Sequence, residues 1–97
     1  MYALAIVRYR KPLEEIEKVL ALHRAYLAGL KAEGVLLASG PLAPRNGGAL
    51  LLRVPDQDAD RALDAVRDGD PFVKAGVAQY ELLPWTPVLG QDGLDKL

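Results

Sequence analysis

Val35-Leu36-Leu37-Ala38-Ser39-Gly40-Pro41 and Asn46-Gly47-Gly48-Ala49-Leu50-Leu51-Leu52-Arg53-Val54 are two apolar runs separated by a Gly/Pro-rich connection. Each run has the length and composition of a strand, and Asn46-Gly47-Gly48 is a turn signal. Strands this close in sequence form an antiparallel hairpin. The reading is a strand over Val35–Ser39 entering the Gly40-Pro41 turn, then a strand over Ala49–Val54. One strand and one helix are to be read on each side of this hairpin along the chain.

On the N-terminal side, Tyr2–Tyr9 reads as a strand, short and apolar with aromatic ends. Pro12 suits a first helical turn, where its missing N–H has no partner to lose. Glu14, Glu15 and Glu17 follow near the positive end of the helix dipole. Leu13, Ile16, Leu20, His23, Leu27 and Leu30 recur at spacings of 3 and 4, one face of an α-helix, and Gly34 caps it. On the C-terminal side, Pro55-Asp56-Gln57-Asp58 introduces a helix over Ala59–Arg67, anchored by Leu63 and Val66 and ended by Gly69. Asp70-Pro71 starts a short helical turn closed by Gly76. Val77–Leu83 is the last strand, broken by Pro84 and Pro87, and residues 90–97 read as a polar tail beyond a single domain over 1–89. The order β-α-β-β-α-β is the ferredoxin-like α+β pattern, with an antiparallel sheet in spatial order 4-1-3-2.

The strands predict a partner. Leu50–Leu52 and Val35–Leu37 are uninterrupted apolar triplets, and Ala3–Val7 contains no polar residue. A half-exposed antiparallel sheet alternates apolar with polar. Two helices cover only one face, so a second copy facing the other is expected, as a homodimer. The competing reading is that Ala3, Ala5 and Ala38 leave that face only mildly apolar.

Composition narrows the function. Ninety-seven residues, 51% apolar and 26% charged, build one modest core. A net charge of −1 offers no basic stripe for nucleic acid. Without cysteine there is no disulfide and no thiolate chemistry, and one histidine excludes a multi-histidine metal site within one chain. No metal or cofactor is expected. No apolar run approaches the roughly 20 residues that cross a bilayer, and no signal peptide is apparent, so the expected location is cytoplasmic. Single Ser39, Thr86 and Asn46 with many loop prolines suit a thermophile, although a GC-rich genome gives a similar bias.

Few residues remain that could carry chemistry. His23 lies mid-stripe and therefore faces the sheet or its rim. It is either a packed histidine donating to a backbone carbonyl or a proton acceptor and donor near neutral pH. Asp70 before Pro71 is a natural helix N-cap. That role is compatible with orienting an imidazole, fixing its tautomer and stabilising its cation. Ser39 sits in no nucleophile elbow, which leaves substrate binding or a backbone bond for its hydroxyl. The glycines assemble no phosphate loop. Tyr9, Tyr26, Phe72 and Trp85 could line a pocket or pack the core and interface. Arg8, Arg10 and Arg53 read as ordinary strand-end or exposed positions.

His23 in the first helix, Gly34-Val35-Leu36-Leu37-Ala38-Ser39-Gly40-Pro41, the Gly47-Gly48 turn and Asp70-Pro71-Phe72-Val73-Lys74-Ala75-Gly76 resemble the YciI-like (YCII-related) family. Glu81 and Pro84-Trp85 fit the family's last strand, and the resemblance covers about residues 2–87. It implies a dimeric α+β barrel fold, similar to muconolactone-isomerase-type proteins. It also implies a His/Asp site, here His23 and Asp70. Ser39, Gly40, Pro41 and Phe72 are expected as substrate-binding positions. Some family members act in aromatic-compound degradation, including dehydrochlorination. The expected function is therefore a cofactor-independent isomerase or lyase, moving a proton on a small, cyclic or aromatic, organic molecule. The alternative is a non-catalytic small-molecule-binding or accessory module.

Overall fold

Pro12 stands one residue before the first helix, not in its first turn. Its carbonyl accepts from the Glu15 and Ile16 N–H groups at 2.9 and 3.2 Å. The computed structural model describes all of residues 1–97. Strand β1 (Tyr2–Tyr9) leads into α1 (Leu13–Ala32), then β2 (Leu36–Pro41) and β3 (Gly47–Arg53). Helices α2 (Ala59–Gly69) and α3 (Pro71–Lys74), strand β4 (Ala78–Trp85) and helix α4 (Gln91–Asp95) follow. The α1 helix ends as its sequence requires: Gly34 takes φ +80°, and the Val35 N–H returns to Leu30 O at 3.0 Å.

The four strands form one antiparallel sheet in the order β2-β3-β1-β4, the order read from the sequence. This is the ferredoxin-like α+β fold. Register decides which side chains meet the helices. Ala3, Ala5 and Val7 lie opposite Leu52, Leu50 and Gly48 on one side and Pro84, Leu82 and Tyr80 on the other. They share one buried core with Ile16 and Leu30 of α1, Leu63 and Val66 of α2, and Phe72 of α3. At ~1.5–3 kcal/mol per large apolar side chain, that core is the main term holding the helical layer on the sheet. Gly47 is needed for the β1–β3 pairing. A Cβ there would stand 1.9 Å from Val7 O, so any side chain would part the strands.

Several boundaries differ from the sequence reading, and β3 begins at Gly47, inside the expected turn. Strand β2 runs through Gly40 and Pro41, with a register irregularity between Leu36 and Ala38 that puts Ser39 opposite Leu50. Strand β4 runs through Pro84, because β4 is an edge strand and a missing ladder donor costs little there. Residues 91–95 are helical and docked. The Tyr2 hydroxyl donates to Asp95, and Arg53 donates to the Leu94 carbonyl at 3.2 Å and to that of Leu97. Tyr2 and Arg53 are cross-strand partners, so α4 covers one end of the sheet face opposite the core.

The remainder of that face has no helix over it. It carries half-buried Leu4, Ile6 and Leu51, with Leu83 and Trp85 exposed at 40% and 41%. No helix is long and apolar enough to cross a membrane.

Candidate active site

Asp70 is the only charged residue in the buried set, with no exposed surface. A buried carboxylate is costly unless donors surround it. The local sequence provides the first donor. Asp70 is the N-cap of α3 with Pro71 in the first turn, and Oδ1 accepts from the Phe72 N–H at 2.9 Å. The turn closes at Gly76, whose φ of +71° lets the Val77 N–H reach Phe72 O at 3.0 Å. This accounts for Asp-Pro-Phe followed by Gly: cap, helix start, anchor, left-handed stop.

The second donor comes from α1. His23 Nδ1 lies 2.8 Å from Asp70 Oδ1. A carboxylate oxygen has no proton to give, so Nδ1 is the donor and the neutral ring leaves its lone pair on Nε2. The third donor is the Tyr80 hydroxyl, bonded to Asp70 Oδ2. Burial, and then its bond to Asp70, push the Tyr80 phenol well above its ordinary value, so it stays a donor across the neutral range. One carboxylate oxygen thus both caps the helix and orients the imidazole, while Tyr80 holds the other.

Packing fixes the ring as firmly as hydrogen bonding does. His23 stacks on Phe72 with centroids 3.8 Å apart and planes 7° from parallel, and Phe72 meets Tyr9 edge-on at 5.9 Å. Tyr26, one turn on from His23, donates to Val66 O at 2.7 Å and ties α1 to α2. Gly69 permits this approach, since a Cβ there would meet the Tyr26 oxygen at 2.6 Å. Burial, with the Asp70 and Glu33 charges behind it, raises the Tyr26 phenol too.

His23 forms part of the wall of a ≈ 470 Å³ cavity between α1 and the β2–β3 half of the sheet. Its apolar lining is Val7, Leu20, Leu27, Leu50 and Phe72. Ser39, Gly40 and Pro41 form the β2 rim, and Glu17, Arg24 and Arg45 supply charge. Nε2 has no protein partner, yet no buried side-chain nitrogen or oxygen is unpartnered, so Nε2 is open to solvent. The side chain as a whole is 12% exposed. No three His, Cys, Asp or Glu side chains cluster as a metal site.

The structure therefore brings His23, Asp70, Ser39, Gly40, Pro41 and Phe72 to one place. Phe72 supports the imidazole more than it faces the cavity, being 1% exposed. Trp85 lies on the opposite sheet face, opposite Tyr2 in the ladder. Sequence reasoning missed Tyr80, Glu17, Arg24 and Arg45. The signals for two of them were present: Tyr80 alternates with Ala78 and Leu82, and Arg24 follows Leu20 by one helical turn.

The chain is thus a ferredoxin-like domain with an oriented imidazole on a cavity wall. A family model described as YCII-related domain matches residues 1–86, and the chain belongs to that family. Among solved structures it is similar to 5-chloro-2-hydroxyhydroquinone dehydrochlorinase from Burkholderia phenoliruptrix AC1100 in complex with 2,5-dihydroxybenzoquinone. The two are 23% identical with a TM-score of 0.76, over 91% of this chain and 96% of that one. At that identity the likeness is one of fold. No curated protein matches the chain.

Proposed function

We propose that this protein is a cofactor-independent lyase or isomerase for a small cyclic or aromatic molecule, with His23 as general acid/base and Asp70 orienting it. The observation that carries the reading is an imidazole on a cavity wall whose Nδ1–H is committed to a buried carboxylate while Nε2 has no protein partner and is open to solvent. Such a ring takes a proton at Nε2 and returns it, and the Asp70 charge stabilises the imidazolium in between. Elimination and isomerisation need no further machinery: a base removes a proton, and a leaving group departs or the proton returns elsewhere. Ser39, with Gly40 and Pro41, binds the substrate from the opposite wall.

Support for elimination comes from the shared fold with a dehydrochlorinase. The test is release of chloride from chlorinated hydroquinones, 5-chloro-2-hydroxyhydroquinone first, alongside binding of 2,5-dihydroxybenzoquinone. Turnover that is lost in His23→Ala supports the reading. Binding without turnover across a panel of halogenated and isomerisable ring substrates would leave the protein a ligand-binding module.

The same reading includes a homodimer. Leu4, Ile6, Leu51, Leu83 and Trp85 form an apolar face that no helix covers, and a second copy laid sheet to sheet would bury it. Sedimentation equilibrium at micromolar concentration is expected to give twice the 10.5 kDa chain mass. Leu51→Glu is expected to shift the protein toward monomer. A 10.5 kDa species for the unmodified chain would rule the dimer out.

A further inference from the structure

Glu17, Leu20, Arg24 and Leu27 recur at spacings of 3 and 4, and all four line the cavity. Arg24 thus projects from the same face of α1 as the two leucines that wall the cavity. Its charge is the one left uncompensated there. Arg45, from the β2–β3 connection, lies 3.8 Å from Glu17, and those two charges offset each other. Arg24 has no carboxylate within ion-pair distance. Asp70 is no partner for it either, because its two oxygens are occupied by His23, Phe72 and Tyr80.

We infer that the cavity selects a compact organic anion, with its charged oxygen on the Arg24 guanidinium and its apolar body against Leu20, Leu27 and Leu50. The inference rests on the reading of this cavity as the substrate site and narrows the substrate class. A guanidinium beside an apolar wall matches a carboxylate, phenolate or enolate better than a neutral ring, because it offers a planar pair of donors as well as charge. It also suits the chemistry. When Nε2 removes a proton, the negative charge left on the substrate develops in a cavity that already holds a free cation. Arg24 is therefore both the anchor for an anionic substrate and the group that favours the ionised form during proton transfer.

The test compares benzoate with benzamide, which share shape and differ in charge. Binding is read from the ring resonances of His23, the only histidine in the chain. Benzoate is expected to bind about tenfold more tightly than benzamide, the scale of one charge-assisted contact at a partly exposed site. Arg24→Gln is expected to abolish that preference, and Arg24→Lys to keep part of it. Added salt should weaken benzoate alone. Arg24 is exposed, so these variants are expected to fold, and circular dichroism checks that they do. Equal affinity for the two probes, no binding of benzoate, or an unchanged preference in Arg24→Gln would overturn the inference. Anion binding through Arg24 without turnover of any ring substrate would overturn the catalytic reading and leave this one standing. Turnover unaffected by Arg24→Gln would do the reverse.

Discussion

His23→Ala is expected to lower proton transfer by about 10²–10⁴-fold, the range that one positioned acid/base contributes, in a protein that remains folded. The folded state survives because Asp70 keeps two of its three donors, the Phe72 N–H and the Tyr80 hydroxyl. The variant loses one hydrogen bond and the stack on Phe72, which costs about 1–2 kcal/mol by general magnitudes. Ligand affinity should change far less than turnover, since the leucine wall and Ser39 are untouched. If His23 only packed, the melting temperature would fall by a similar amount but the rate per folded molecule would stay unchanged. The measurement is therefore paired, with rate and thermal midpoint on the same preparation. A rate within threefold of the parent would remove His23 from the chemistry.

Why the fold was legible and part of the site was not comes down to the range of the interactions involved. Hydrophobic period is local. The 3-and-4 spacing from Leu13 to Leu30 and the apolar runs around Asn46-Gly47-Gly48 each state their element within a few residues. Element order then leaves few topologies, and β2-β3-β1-β4 is the one adopted. The Asp70 cap was legible for the same reason, since the capping carboxylate, the proline and the N–H donor lie within three residues. Tyr80 was not. Alternation places it on the helix side of β4, opposite Val7, but its partner Asp70 is ten residues earlier and across a turn. Arg24 shows a different failure. A charged residue beside an apolar stripe reads as solvated, and only the gap between α1 and β2 reveals that it borders a cavity. The docking of α4 depends on Tyr2 and Arg53 being cross-strand neighbours, a register fact that no short window of sequence contains.

Asp70→Ala is expected to be the most destabilising single change in this site. Three groups lose their acceptor together: the Phe72 N–H, His23 Nδ1–H and the Tyr80 hydroxyl. Loss of an N-cap alone costs about 0.5–2 kcal/mol, and each buried donor left unpaired adds about 1–3 kcal/mol where water cannot enter. A total of about 3 kcal/mol allows for partial relaxation around His23, which is near solvent. At roughly 4–8 °C per kcal/mol for a domain of this size, the melting temperature should fall by about 15 °C. Asp70→Asn separates geometry from charge. Its amide oxygen can still accept from Phe72 and His23, and its amide nitrogen can donate to the Tyr80 oxygen, so most of the stability should remain. The negative charge behind the imidazole is gone, however, and with it the preference for imidazolium that proton abstraction requires. Asp70→Asn should therefore lie close to the parent in thermal midpoint and close to His23→Ala in rate. Tyr80→Phe completes the series, since it leaves Oδ2 buried without a partner and should cost about 1–3 kcal/mol. Parent-like rates in Asp70→Asn would reduce Asp70 to a helix cap with His23 acting alone. A loss below about 1 kcal/mol in Asp70→Ala, against the cost of unpaired buried donors, would mean that this carboxylate does not hold the network together.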